Sequence, residues 1–286
     1  MVDPPLDPRY FNDDPWWRRV DEHMASSGDP FLLASARLAR AVVSDEDAGA
    51  RVVVNVGTAG MLGLLRGEPY LNAYDRRLVG GEPGPGPDDR AYVDGLLGLG
   101  PEVCFAALAV DGVGVRLYGE YCLVLDVARV DPDPGLLDRD SYEVLFEPLV
   151  GRADLARVVG QLRGSWADRH DLLLLKVLPR IDPSPRRVTT AVVADAVLSD
   201  QDFVEVHLRP RRAWGCFELA DVPEVRLSPT DLTLVDWLAS RAAGGARLTD
   251  EELRYLTRHD DVQRRLDEER VAVRVIGGRG GGDLWT

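Results

Sequence analysis

The sequence predicts an α+β fold: an antiparallel sheet, whole or split, with helices gathered in its N-terminal and C-terminal parts. Three observations predict it. Val103–Val110 and Val113–Leu125 are two apolar runs joined at Asp111-Gly112, a strong hairpin signal. Phe203–Leu208 alternates between a Val/Leu face and a face of Phe203, Glu205 and His207. Helical patterns flank this region and do not alternate with strands, which argues against a doubly wound parallel sheet.

The elements follow in order. Residues 1–14 read as a flexible lead, and residues 15–286 as one domain. Its N-terminal part, 15–48, is helical. Asp14-Pro15 opens a helix through Trp16, Val20 and Met24, with Trp16 and Trp17 as aromatic anchors. Asp29-Pro30 opens another, expected to turn Phe31, Leu32, Ala36 and Leu38 inward. Arg51–Val56 is a short buried strand running into Gly57-Thr58-Ala59-Gly60 and a small-residue helix to Leu65. Glu68–Tyr74 reads as extended. Gly80–Asp89, alternating Gly and Pro, reads as an irregular loop or a lid.

Beyond the expected hairpin, a proline-rich turn covers Asp131–Pro134. A weaker element spans Ser141–Leu149, and a helix Ala153–Leu162. Asp171–Leu178 and Arg187–Leu198 fit strand or helix. Trp214–Leu219 is expected to pair with Phe203–Leu208. In the C-terminal part, 228–270, Ser228-Pro229-Thr230-Asp231 is a helix start, and Thr249 with Glu252 forms a capping box. Val271–Ile276 is a last short strand before a glycine-rich tail.

Composition narrows the function. The 286 residues carry a formal net charge of -14 with 45% hydrophobic residues. A surface this acidic repels bulk nucleic acid and anionic lipid. No apolar run has the length needed to cross a bilayer, and Met1–Tyr10 is unlike a secretory signal; the expected location is the cytoplasm. Three cysteines, Cys104, Cys122 and Cys216, form neither a CxxC pair nor a disulfide framework, and the four histidines are scattered, so no metal is expected. Arg209, Arg211 and Arg212 could hold one phosphate or pyrophosphate, but a solvated surface loop is the better explanation of that run. Basic residues are almost all arginine; Lys176 is the one lysine.

Candidate chemistry lies in three places. Gly57, Gly60 and Gly63 follow a strand and enter a helix, but their spacing is not GxGxxG. Backbone N–H groups at that helix start could still meet one anion. On a strand Val115–Cys122, Arg116, Tyr118 and Glu120 would share a polar face, lining a cleft or facing solvent. Glu205 and His207 would sit side by side, as a general acid–base pair or an exposed edge pair.

Three segments carry a resemblance: Glu68-Pro69-Tyr70-Leu71-Asn72-Ala73-Tyr74-Asp75, then Val115-Arg116-Leu117-Tyr118-Gly119-Glu120, then Phe203-Val204-Glu205-Val206-His207. In order, this resembles a bacterial family of uncharacterised proteins in which a tyrosine precedes Gln-Phe-Glu, followed by an Arg-aromatic-Gly strand and a late strand with an aromatic, Glu and Gln at alternate positions. Here Asn72, Tyr74 and Asp75 replace Gln, Phe and Glu, Leu117 is an extra residue, and His207 stands for Gln. The layout is also weakly similar to ADP-ribosyltransferases, whose split antiparallel sheet grips NAD. That resemblance implies NAD as a substrate, Glu205 as the catalytic acid, and His207 directing an unknown small-molecule or protein acceptor. It further implies that Arg116, or Asn55 with Thr58, holds NAD and that Tyr70 or Tyr118 stacks on nicotinamide. A carboxylate near the ribose would stabilise the oxocarbenium-like state formed as the nicotinamide bond breaks. Two other readings stand beside this one: a different small-molecule enzyme, such as a biosynthetic tailoring enzyme, using Glu205 and His207 as acid and base, and a non-catalytic interaction protein.

Overall fold

A valine-rich strand with almost no exposed residue belongs in the middle of a sheet, and β1 (Ala50–Val56) is there in the computed structural model of the chain. The structure describes residue 22 and residues 30–46, 49–78, 87–141, 162–181, 187–198 and 202–277. The other strands are β2 (Cys104–Val110), β3 (Tyr121–Val124), β4 (Gly135–Leu137), β5 (Arg163–Gly164), β6 (Glu205–Leu208), β7 (Glu224–Leu227) and β8 (Ala272–Val275). They form one continuous sheet in the order β5-β4-β6-β2-β1-β3-β7-β8. Every pairing is antiparallel except β7 with β8, which is parallel. The fold is α+β with a mostly antiparallel open sheet.

Helices among the described residues are α1 (Pro30–Val43), α2 (Thr58–Leu65), α3 (Ala73–Leu78), α4 (Pro87–Leu97), α5 (Val127–Val130), α6 (Arg169–Val177), α7 (Thr190–Val197), α8 (Pro229–Ala243) and α9 (Asp250–Glu269). The two sequence-ambiguous runs are helices, each with a start signal. A Ser165/Asp168 capping box precedes α6, and Thr189 caps α7 through the Val192 N–H. Ser228 and the Thr249/Glu252 box start α8 and α9 as expected.

Directly opposed residues of a ladder point to the same face. The registers therefore put Gly135, Leu137, Glu205, His207, Phe105, Ala107, Val53, Asn55, Cys122, Val124, Glu224 and Arg226 on one face. Tyr121 lies on the other, bonded to His259 of α9, which packs along α2.

Several expectations need correction. β2 and β3 do not form a hairpin at Asp111-Gly112, because β1 lies between them. Asp111 does take a turn-like positive φ of 42°, but the chain then crosses over β1. The Asn55 amide holds it there, donating to Val113 O at 2.9 Å and Gly119 O at 3.0 Å. Gly114 and Gly119 permit the crossing. A Cβ on Gly114 would fall 1.9 Å from Asn55 Oδ1, and one on Gly119 would fall 2.1 Å from the Val56 carbonyl carbon. Arg116–Tyr118 is consequently a 3₁₀ turn and not a strand.

Trp214–Leu219 does not pair with β6, whose two edges are taken by β2 and β4; Phe217 instead bridges Tyr70. β4 was not anticipated. The stretch expected to be extended through Tyr74 ends at Asn72, whose Oδ1 accepts from the Asp75 N–H at 2.8 Å and starts α3. Pro87, inside the expected Gly-Pro loop, is the first residue of α4. On α1, Phe31 and Leu38 are 65% and 44% exposed, while Ala36, Ala39 and Val43 form the buried stripe. The expectations for residues 1–21, most of Ser141–Leu149 and Ala153–Leu162, residues 80–86 of the Gly-Pro loop, and the tail beyond 277 lie outside the described residues.

Candidate functional site

Two polar clusters stand out. The first is built on β6. An acid in a strand flanked on both sides is costly unless each oxygen is bonded, and Glu205, 3% exposed, meets that condition. Its Oε1 lies 2.6 Å from His207 Nε2. Its Oε2 accepts from the Ser141 hydroxyl at 3.0 Å and the Ser141 N–H at 3.3 Å. Phe105, opposite His207 on β2, sets its ring edge-on to the imidazole with centroids 5.5 Å apart. The pair is therefore sealed and oriented, not an exposed edge pair. A carboxylate bonded to an imidazole can pass a proton in either direction.

Around it runs a buried ionic segment, Asp138 to Ser141, continuing from β4. Lys176 of α6 lies 3.2 Å from Asp138 and is bonded to Asp202. Burial works to raise the Asp202 carboxyl, but the Lys176 ammonium and Arg180 outweigh it and hold it below the ordinary aspartate value.

The second cluster gathers where the 116–120 segment meets the starts of α2 and α8. Glu120 Oε1 accepts from the Thr58 N–H at 2.9 Å and from the Thr58 hydroxyl. The anion at the glycine-bearing helix start is thus the protein's own carboxylate, at the positive end of the helix dipole. Arg116 pairs with Asp231 in the first turn of α8. Tyr121 meets His259 Nδ1 at 3.0 Å, and the Tyr255 ring stacks beside the imidazole. Burial pushes the Tyr121 and Tyr255 hydroxyls up, with Glu120 adding to both. Burial lowers His259 although Asp260, Glu120, Asp231 and Asp236 oppose it. Burial also raises Asp231 against the pull of Arg116.

The residues anticipated from sequence divide among these places. Glu205 and His207 are together, and Asn55 is on their face of the sheet, where its amide clamps the crossing chain. Tyr118, 54% exposed, reaches Asp140 with its hydroxyl at 3.4 Å, next to the Ser141 that holds Glu205. Arg116 and Thr58 belong to the second cluster. Tyr70 lies apart. Its ring stacks on Phe217 at 4.7 Å, its hydroxyl accepts from Arg76 at 2.7 Å, and burial pushes it up to about 12. Arg212 of the basic run is committed to Glu218 and Asp221.

Ser141, Lys176, Asp231, Tyr255 and His259 were not among the site residues expected from sequence, although Lys176 stood out as the one lysine and Asp231 as part of a helix start. Tyr255 and His259 carried a local signal too, one helical turn apart on α9. Among the described residues no group of three or more His, Cys, Asp or Glu is placed to hold a metal ion, and no helix is long and apolar enough to cross a membrane. A cavity of about 60 Å³ between Asp111–Val113, α7 and Ile276 contains none of the anticipated site residues. No protein-family model, curated protein or solved structure matches the chain.

Proposed function

We propose that the protein is an NAD-consuming enzyme of ADP-ribosyltransferase type, with Glu205 as the reacting carboxylate. The observation that supports this is the fixed orientation of Glu205 on a late strand, bonded by His207 and Ser141 and sharing a sheet face with Asn55 of an early strand. Such a carboxylate accepts the ribose 2′-hydroxyl and stabilises positive charge on the anomeric carbon as the C–N bond breaks. Nicotinamide leaves with the bonding electrons. Water or an acceptor hydroxyl then attacks, and His207 takes its proton. Tyr118, 54% exposed and within reach of Asp140, is the aromatic we place against nicotinamide; the ring of Tyr70 stacks on Phe217 and lies under Arg76.

Glu205 and His207 are each 3% exposed, so this reading requires a local opening beside His207 that admits NAD while Ser141 stays bonded to Glu205. A second reading is supported by the 2.6 Å Glu205–His207 bond alone: acid–base chemistry on another small molecule, with no nucleotide. Melting the protein across an NAD titration separates the two. The first reading expects the midpoint to rise with NAD concentration, because a ligand bound only by the folded state stabilises it. A midpoint unmoved by saturating NAD, but raised by another metabolite, would replace it with the second.

A further inference from the structure

Lys176 is the one lysine among 34 basic residues. Everywhere else the chain uses arginine, and the exception is buried, 5% exposed, between two carboxylates. An ammonium is a compact point charge with three donors, whereas a guanidinium is a larger planar fork. The site holds two separate carboxylates in a small buried space, which suits the first. Asp202 also binds Arg180, whose other arm donates to Ala196 O at 2.7 Å, so that side of the site is braced by α7. On the other side the Asp138 N–H donates to Leu162 O at 2.9 Å, and its buried Oδ1 stands 3.2 Å from Lys176 Nζ as an ion pair without hydrogen-bond geometry.

The consequence reaches Glu205. β4 pairs Leu137 directly with Glu205. The chain then passes Asp138 and, three residues later, places the Ser141 N–H and hydroxyl on Glu205 Oε2. Lys176 is therefore placed, through its ion pair with Asp138, at the start of the segment that carries Ser141 to the carboxylate. We propose that Lys176 is a positioning residue for Glu205, acting through Asp138 and Ser141; this rests on the reading of Glu205 as the reacting group.

The test compares Lys176→Met and Lys176→Arg with the parent in the full chain. It uses nicotinamide release from NAD and amide hydrogen exchange of residues 135–141 against β1. Lys176→Met is expected to lower kcat about tenfold or more with KM for NAD little changed, since a misplaced group costs rate and not binding. Lys176→Arg is expected to recover part of the loss. Exchange in 135–141 is expected to accelerate about tenfold in Lys176→Met with β1 unchanged, the signature of local opening. If Lys176→Met fails to fold, Asp138→Asn carries the same comparison. Unchanged kcat per folded molecule, or exchange that quickens equally in both segments, would overturn the proposal. If the parent releases no nicotinamide, the assignment of Glu205 falls, while the exchange comparison still decides whether Lys176 holds the segment.

Discussion

The two polar clusters differ in how they are assembled and in what holds them. Glu205 and His207 are two residues apart on one strand, sealed, with both carboxylate oxygens bonded. Glu120 and Arg116 of one segment meet Thr58 and Asp231 at two helix starts, all four are partly exposed, and their contacts cap a helix and hold a loop. Charge in the first cluster is expensive to bury and has no capping duty. Charge in the second has an evident structural task. That contrast, more than the residue types, is why we propose the β6 pair as the reacting one.

Substitutions test this contrast directly. The largest effect is expected from Glu205→Ala, which removes the buried acceptor that His207 and the Ser141 N–H and hydroxyl share. Urea unfolding should show a loss of about 3 kcal/mol or more. Asn55→Ala removes two bonds to the crossing chain and leaves a small void. It should cost about 2 kcal/mol and increase proteolytic cleavage within 111–119. Glu120→Ala removes the carboxylate at the start of α2 in a half-exposed setting, and about 1 kcal/mol is expected from the same unfolding measurement. A Glu120 loss as large as that of Glu205 would erase the distinction between the clusters.

The smallest effect is a pH dependence. Burial depresses His259 below its ordinary value of 6.5. The unfolded chain then binds a proton first as pH falls, so this contribution to stability is complete above about pH 6.5 and is lost progressively below it. The groups facing the imidazole are Tyr121, Tyr255, Glu120, Asp231, Asp236 and Asp260. His259→Gln should flatten the melting temperature between about pH 6.5 and 5 relative to the parent.

Local signals in the sequence were legible and long-range ones were not. Valine-rich β1, the caps of α8 and α9, and the pairing of Glu205 with His207 follow from periodicities and spacings of a few residues. The Asp111-Gly112 hairpin misled because turn chemistry fixes only the turn. A single side chain, Asn55, draws the following residues across β1, and nothing adjacent in sequence announces that contact. The polar face assigned to Arg116, Tyr118 and Glu120 failed with it, since a 3₁₀ turn has no two-residue alternation. Burial of Glu205 was equally hidden. Alternation identifies a face but not what covers it, and the cover here comes from Ser141 and β4, more than sixty residues upstream.

As the proposed reacting group, Glu205 must be chemically active and not merely a buried structural acid. The most direct measurement is the initial rate of nicotinamide release from NAD by the parent and by Glu205→Gln, each shown to be folded. Glutamine retains an acceptor oxygen but cannot carry the negative charge, so the expected result is release by the parent and a fall of about a hundredfold or more in the variant. Equal rates in the two proteins, or none in the parent with acceptor-rich lysate present, would contradict it.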